Sequence, residues 1–309
     1  MKIHILNYKD ILPTLCVPLT EENFNGRVRE YLAGGRQDVL VNTDIFCNNV
    51  RSKNFKEVNF SLFRRTDVDN ADIVIFPIYL ELFEFFGLSE NVRHCIETYS
   101  KKYSNKKVVF FWNHDEDFKK YNDTSSKYEN CRIINYNTSE KTDNDIVVPC
   151  WALGNIDPIE EEKNIYCSFA GNMTHNVRRI LASKIIQYND PKIQLLVNLP
   201  YEEYRKKLSQ TMFSLCPRGE GLSSYRLFEC IHANTVPVLI ADASVLPYEE
   251  DLCYSDFLIR YKEKDVTNIN FLLETLQNVD YNKMLQELKK VRYKFTLAGV
   301  QEYVHRRLQ

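Results

Sequence analysis

The sequence predicts an α/β protein with two doubly wound, Rossmann-like domains of parallel sheet. Apolar runs and amphipathic stretches alternate along nearly all of the 309 residues. The apolar runs, such as Ile73-Val74-Ile75-Phe76 and Val108-Val109-Phe110-Phe111, are continuous rather than alternating. Strands buried on both faces read this way, and parallel sheets covered by helices bury both faces. A polar connector, Ala152–Lys163, holds Gly154, Pro158 and three glutamates, and it separates two similar strand–helix sets.

In the first set, strands are expected at Ile3–Asn7, Val39–Asn42, Asp72–Phe76, Lys107–Trp112, Arg132–Tyr136 and Ile146–Pro149, with helices at Phe24–Leu32 and Leu80–Lys102. In the second, strands are expected at Tyr166–Gly171, Ile193–Val197, Met212–Cys216, Val236–Ile240 and Phe257–Tyr261. Its helices are Asn176–Tyr188, Tyr201–Gln210, Ser224–Ala233, Val266–Val279 and Tyr281–Phe295, and Leu297–Leu308 closes the chain. Repeated strand–helix units of this kind give doubly wound sheets. The domains are placed at 1–155 and 156–295, with the final helix, 296–309, free to cross back to the first.

Composition narrows the function classes. Apolar residues make up 44% and charged residues 27%, which excludes general disorder. Forty Lys and Arg against 42 Asp and Glu leave a net charge of −2, without the basic footprint of a nucleic-acid binder. The N-terminal apolar stretch, Ile3–Leu6, is too short for a signal peptide, and the window Ile73–Leu88 is shorter than a membrane span and carries Glu81 and Glu84. A soluble, cytoplasmic protein without a membrane segment is therefore expected. Nine scattered cysteines with no Cys-x-x-Cys read as small buried hydrophobes in a reducing compartment. Four Asn-x-Ser/Thr sequons, at Asn59, Asn122, Asn137 and Asn172, are expected to be unused.

The chain has only 9 glycines, and Gly171, Gly219 and Gly221 stand where a strand gives way to a helix. The first place is Ser168-Phe169-Ala170-Gly171-Asn172, followed by a helix carrying Arg178 and Arg179. The second is Leu215-Cys216-Pro217-Arg218-Gly219-Glu220-Gly221, then Ser223 and Ser224 as helix caps, then Arg226 and Glu229. Such turns bind anions. The first helical N–H groups lack internal partners, the macrodipole is positive there, and glycine lets a phosphate approach the backbone. Arg226 adds a fork-shaped donor, and Glu229, one turn on, can accept from ribose hydroxyls. A plainer account of the same residues is a capped helix with an Arg226–Glu229 i,i+3 pair. Neither the Walker nor the dinucleotide fingerprint is present.

A third place is Trp112-Asn113-His114-Asp115-Glu116-Asp117, directly after a buried strand. Asp115 or His114 can serve as a general base there, or Asp115-x-Asp117 can hold a divalent ion beside a diphosphate. The plainer account is that Asp115 caps the helix that follows.

At 213–257 the chain resembles the exostosin family of glycosyltransferases. The stretch Phe213-Ser214-Leu215-Cys216-Pro217-Arg218-Gly219, then Ser224-Tyr225-Arg226-Leu227-Phe228-Glu229, Val236-Pro237-Val238-Leu239 and Leu246-Pro247-Tyr248 carries the likeness. Ala71–Pro77, Phe110–Asp115, Val147–Pro149, and Phe169–Gly171 with Arg178 correspond more loosely, so the resemblance runs from about Ala71 to Asp265. Asn234 stands where the family has Gly, a position where Asn tolerates the left-handed cap. Tyr248 and Tyr254 replace Phe and Trp, and the chain looks like a short, soluble member of bacterial or viral type.

The resemblance implies a GT-B fold whose two domains face across a cleft. It implies an inverting transferase that moves a sugar from a nucleoside-diphosphate donor, a UDP-sugar, to a hydroxyl of a glycan, with no obligatory metal or other cofactor. Asp115 is then the first choice as base and His114 the second. Gly171, Arg178, Arg218, Ser223, Ser224 and Arg226 fall at the diphosphate and Glu229 at the ribose. The alternatives are a metal-dependent GT-A-like transferase using Asp115 and Asp117, and a non-catalytic module that binds a nucleotide or a glycan.

Overall fold

The computed structural model describes residues 1–33, 62–150, 159 and 161–309. The chain divides into two compact units. One comprises Met1–Ala152, Val245–Pro247 and Leu297–Gln309; the other comprises Leu153–Ser244 and Tyr248–Thr296.

In the first unit the described strands are β1 (Lys2–Ile5), β2 (Arg64–Arg65), β3 (Ile73–Ile75), β4 (Lys107–Trp112), β5 (Cys131–Asn135) and β6 (Asp145–Val147). They form one sheet in the order β2-β1-β3-β4-β5-β6, and every described pairing is parallel. The continuous apolar runs sit in its centre: Val74, Val108, Val109, Phe110 and Trp112 have no exposed surface. This is the two-sided burial that the runs require. The strand expected at Val39–Asn42 lies outside the described residues. The edge strand β2 is two exposed arginines, which carry no apolar signature.

Helices α1 (Tyr8–Ile11) and α2 (Glu21–Ala33) follow β1, and α5 (Asn122–Ser125) follows β4. The single helix expected over Leu80–Lys102 is instead two, α3 (Glu81–Phe85) and α4 (Glu90–Lys102). Gly87 breaks it at φ +70°. Leu88 N donates to Phe83 O at 2.7 Å and Gly87 N to Glu84 O at 2.9 Å, the paired bonds of a Schellman stop, which needs a left-handed residue at that point.

The second unit holds β7 (Ile165–Ala170), β8 (Ile193–Leu196), β9 (Thr211–Pro217), β10 (Val236–Ile240) and β11 (Ile259–Tyr261), with α6 (Asn176–Tyr188), α7 (Tyr201–Ser209), α8 (Tyr225–His232), α9 (Ile269–Gln277) and α10 (Tyr281–Val291). The sheet is parallel in the order β11-β10-β9-β7-β8. Read from β8, the strands run second, first, third, fourth, fifth. The direction of winding reverses between β7 and β9, and in such sheets ligands bind outside the carboxyl ends of the strands at that reversal.

Its core gathers Phe169, Leu181, Phe213, Leu215, Val238 and Leu272. Asn234 stands at φ +53°, and Thr235 N bonds Cys230 O at 2.9 Å, so α8 ends on the left-handed turn that asparagine tolerates. The described cysteines are free thiols and six of them are buried. The closing helix, α11 (Leu297–Leu308), groups with the first unit, where Lys107 Nζ donates to Leu308 O at 2.7 Å. Among the described residues, no helix is long and apolar enough to cross a membrane.

Candidate functional site

β7 ends at Ala170 and β9 at Pro217, so the winding reversal brings Gly171 and the Arg218–Ser224 turn to the same end of one sheet. A cavity of about 940 Å³ opens beside Gly171 and Arg226; no residue of the Arg218–Ser224 turn is on its wall. Its wall includes Ala170, Gly171, Arg179, Val197, Tyr201 and Arg226.

Arg226, in the first turn of α8, is placed by three contacts. Its Nε donates to Ala170 O at 3.1 Å, its Nη1 pairs with Glu229 at 2.5 Å, and its guanidinium lies 4.1 Å over the Tyr204 ring. Tyr204 also donates its hydroxyl to the same Glu229 oxygen at 2.9 Å. Among the described residues, Nη2 of Arg226 has no hydrogen-bond partner, so one face of the fork is left for a ligand on the cavity wall. Burial pushes the Glu229 carboxyl above the ordinary glutamate range, against the pull of Arg226. The i,i+3 pair of the plainer account therefore forms, and it forms inside the candidate site.

Ser224 is the N-cap of α8, at φ −138° and ψ 124°. The expectation that its hydroxyl caps the helix is not met: the side chain makes no cap bond, and Oγ is buried with no partner among the described residues. Ser223 closes the turn through its carbonyl, which accepts from Gly219 N at 3.3 Å.

Two arginines named from sequence are engaged within the protein, Arg178 by backbone carbonyls and Arg218 by a carboxylate as well as carbonyls. Arg178 Nε donates to Arg218 O at 2.9 Å and Pro217 O at 3.3 Å, Nη2 to Pro217 O at 3.2 Å, and Nη1 to Asn172 O at 3.1 Å. Arg218 Nε pairs with Glu263 at 2.9 Å, and its Nη1 reaches the carbonyls of Gly219, Glu220 and Gly221. The helix after Gly171 begins on His175, whose Nδ1 accepts from Val177 N at 3.3 Å. Burial, with the charge of Arg218 nearby, pulls that imidazole below its usual value.

In the first unit, the turn after β4 carries the candidate bases. Asp115 is exposed, and among the described residues its carboxylate has no partner; its carbonyl accepts from the Asn137 amide. His114 Nδ1 accepts from Glu116 N at 3.1 Å, and its ring meets Trp112 edge-on at 5.8 Å. Capping falls to Asp117, not Asp115. Asp117 Oδ1 accepts from Lys119 N and Ser139 N, both at 3.0 Å, and Oδ2 accepts the Ser139 hydroxyl. Its oxygens are thus engaged, and among the described residues no group of three or more His, Cys, Asp or Glu could hold a metal ion.

Sequence reasoning missed four participants. Tyr204 and Tyr201 sit on α7, one turn apart, where a lone aromatic pair reads as core. Glu81, with no exposed surface, accepts Asn113 N at 3.0 Å and fixes the start of the β4 turn. Asn198, at φ +56° on the cavity wall, is a left-handed non-glycine that a sequence does not announce.

Residues 37–276 match the Exostosin GT47 domain. A protein of Arabidopsis thaliana named as a probable glucuronoxylan glucuronosyltransferase is 26% identical over 149 residues, 45% of this chain and 32% of that protein. The exostosin-1 homolog of Caenorhabditis elegans is 30% identical over 99 residues, 32% of this chain and 26% of that one. The matched stretches thus span about a third or less of these relatives. They are plant and animal proteins, so they lend no support to a bacterial or viral type. A glycosyltransferase structure from Rickettsia africae aligns over 99% of this chain and 98% of its own at 9% identity, with a TM-score of 0.44. With the family domain matched over more than half of its length, the chain belongs to the exostosin GT47 family of glycosyltransferases.

Proposed function

We propose that this chain transfers a sugar from a UDP-sugar to a hydroxyl of a glycan, with inversion at the anomeric carbon. The observation that carries this is Arg226, whose Nη2 has no partner among the described residues and which lies on the wall of a 940 Å³ cavity at the winding reversal. A fixed guanidinium beside a helix start suits a leaving diphosphate. The apolar wall formed by Ile186, Leu196, Val197 and Tyr201 suits a nucleobase, and Glu229 lies within a turn of Arg226 for the ribose.

In the proposed reaction the acceptor oxygen attacks the anomeric carbon in line, and the bond from that carbon to the β-phosphate oxygen breaks. Asp115 takes the hydroxyl proton; His114 is the second choice, because its Nδ1 is already engaged. Arg226 meets the charge that gathers on the diphosphate. No metal is assigned, since Asp117 is committed to Ser139 and Lys119.

A cytosolic location belongs to the same proposal. Asn122 and Asn137 head sequons, yet both are buried and their amides donate to Glu140 O and Asp115 O. Asn172 lines the cavity. An oligosaccharide at the first two would displace buried hydrogen bonds, and at the third it would crowd the cavity.

A thermal-shift series with UDP-, GDP- and dTDP-sugars tests the donor. A ligand at 100 times its Kd stabilises by about 2.7 kcal/mol, so the UDP-sugar should raise Tm the most. No shift with any of them would remove the proposal. A shift without transfer or donor hydrolysis in a single-turnover assay would favour a binding module.

A further inference from the structure

We propose that Arg178 is a positioning residue, which ties the two turns of the winding reversal together so that the α8 start and Arg226 are held ready for a diphosphate. This rests on the donor assignment above.

Arg178 is the third residue of α6, yet its guanidinium leaves its own helix and bridges two loops. Nη1 holds Asn172 O in the turn after β7; Nε and Nη2 hold Pro217 O and Arg218 O at the end of β9. Four hydrogen bonds reach three carbonyls through all three nitrogens of the planar fork. A lysine ammonium, a point donor on a flexible stem, cannot span both loops with that geometry.

The glycines fit the same device. A Cβ at Gly219 would stand 3.4 Å from Arg178 Nη2, and one at Gly171 would stand 3.6 Å from Nη1. Gly171 also adopts φ +157°, which side-chain-bearing residues rarely do. Both distances are ordinary van der Waals contact, so the guanidinium packs directly against the two glycine positions.

Electrostatics gives the arrangement its purpose. The carbonyls of Asn172, Pro217 and Arg218 carry partial negative charge beside a site assigned to an anion. Donating to them turns their dipoles to use and places a fixed positive charge behind the backbone. Arg218 does the same for the carbonyls of Gly219, Glu220 and Gly221. Of the three, Arg226 lines the cavity.

The test compares Arg178→Gln and Arg178→Lys with the unaltered chain. Hydrogen exchange is measured over 217–224 without ligand, and UDP affinity by calorimetry. Arg178→Gln should speed ligand-free exchange and weaken UDP by about tenfold or more, the scale of losing hydrogen bonds to a charged group. Arg178→Lys should restore little of either, whereas a merely structural positive charge would be restored. Weakened UDP with unchanged ligand-free exchange would overturn the proposal in favour of a direct phosphate contact. UDP affinity within twofold would overturn it outright. Should Arg178→Gln fail to fold, the Arg178→Lys comparison decides alone, because retained affinity there contradicts the need for the fork. If the unaltered chain binds no UDP, the donor assignment fails, while the exchange result still reports on the clasp.

Discussion

The Arg218–Ser224 turn of the second unit and the Asn113–Asp117 turn of the first both follow a buried parallel strand, but they are finished differently. Around the second-unit turn, Arg178 and Arg218 engage the carbonyls, and Arg226 is braced by Ala170, Glu229 and Tyr204. The first-unit turn is pinned from beneath instead. Glu81 takes Asn113 N, Asn137 takes Asp115 O, Trp112 Nε1 donates to Glu116 O at 2.9 Å, and Asp117 is held by Ser139. The Asp115 carboxylate is exposed and, among the described residues, unpaired, whereas the exposed Glu116 pairs with Lys120. A group that must hold a doubly charged leaving group gains from being fixed in advance, because nothing has to reorganise as charge develops. A group that must accept a proton needs an accessible lone pair on a fixed backbone.

The largest effect is expected where the contrast is sharpest. Asp115→Asn keeps the shape and removes the base, so turnover should fall by ~10²–10⁴. Because the side chain is exposed and unbonded, Tm and donor affinity should stay put. Turnover within a few-fold of the unaltered chain would end the case for Asp115 and pass it to His114→Gln.

Arg226→Ala should lower turnover by ~10²–10³ and also lower Tm, because it strands the buried Glu229 carboxylate. Adding Glu229→Gln should recover the Tm and not the turnover. Recovery of both would make the pair a structural brace and break the comparison.

These two turns also show where a sequence stops being legible. The strand–glycine–helix pattern with its first-turn arginine announces the second-unit turn, and a run of titratable groups straight after a buried strand announces the first-unit one; both signals are local in the chain. The Schellman stop at Asn234 is equally local. The purpose of Arg178 is not, because two of its three acceptors lie 39 and 40 positions away and its spacing says only that it begins a helix. Tyr204 reaches Glu229 across 25 positions, and the cavity needs the loop after β8 to approach α8. At Leu80–Lys102 a continuous apolar period hid a stop set by one glycine, Gly87.

The smallest expected effect comes from the amino end of the second-unit sheet, where a charge is buried with no part in the chemistry proposed. Lys163 Nζ donates to Thr211 O at 2.9 Å and Thr235 Oγ1 at 3.0 Å, beside the starts of β9 and β10. No carboxylate pairs with it among the described residues, and burial pulls its pKa from 10.5 to about 8. The unfolded chain therefore holds a proton, between those two values, that the folded chain has released. Unfolding takes that proton up, so raising the pH across the window favours the folded state. Stability should climb as pH rises from about 8 towards 10.5 and lose that increment as pH falls back through 8. Lys163→Met removes the titration, so the difference between the two chains in denaturant midpoint should change across the window while donor affinity at neutral pH does not. Parallel midpoint profiles would mean that Lys163 stays hydrated. A change in donor affinity would mean that the two ends of the sheet are not independent, and the contrast between a site built for charge and a charge merely buried would fall with it.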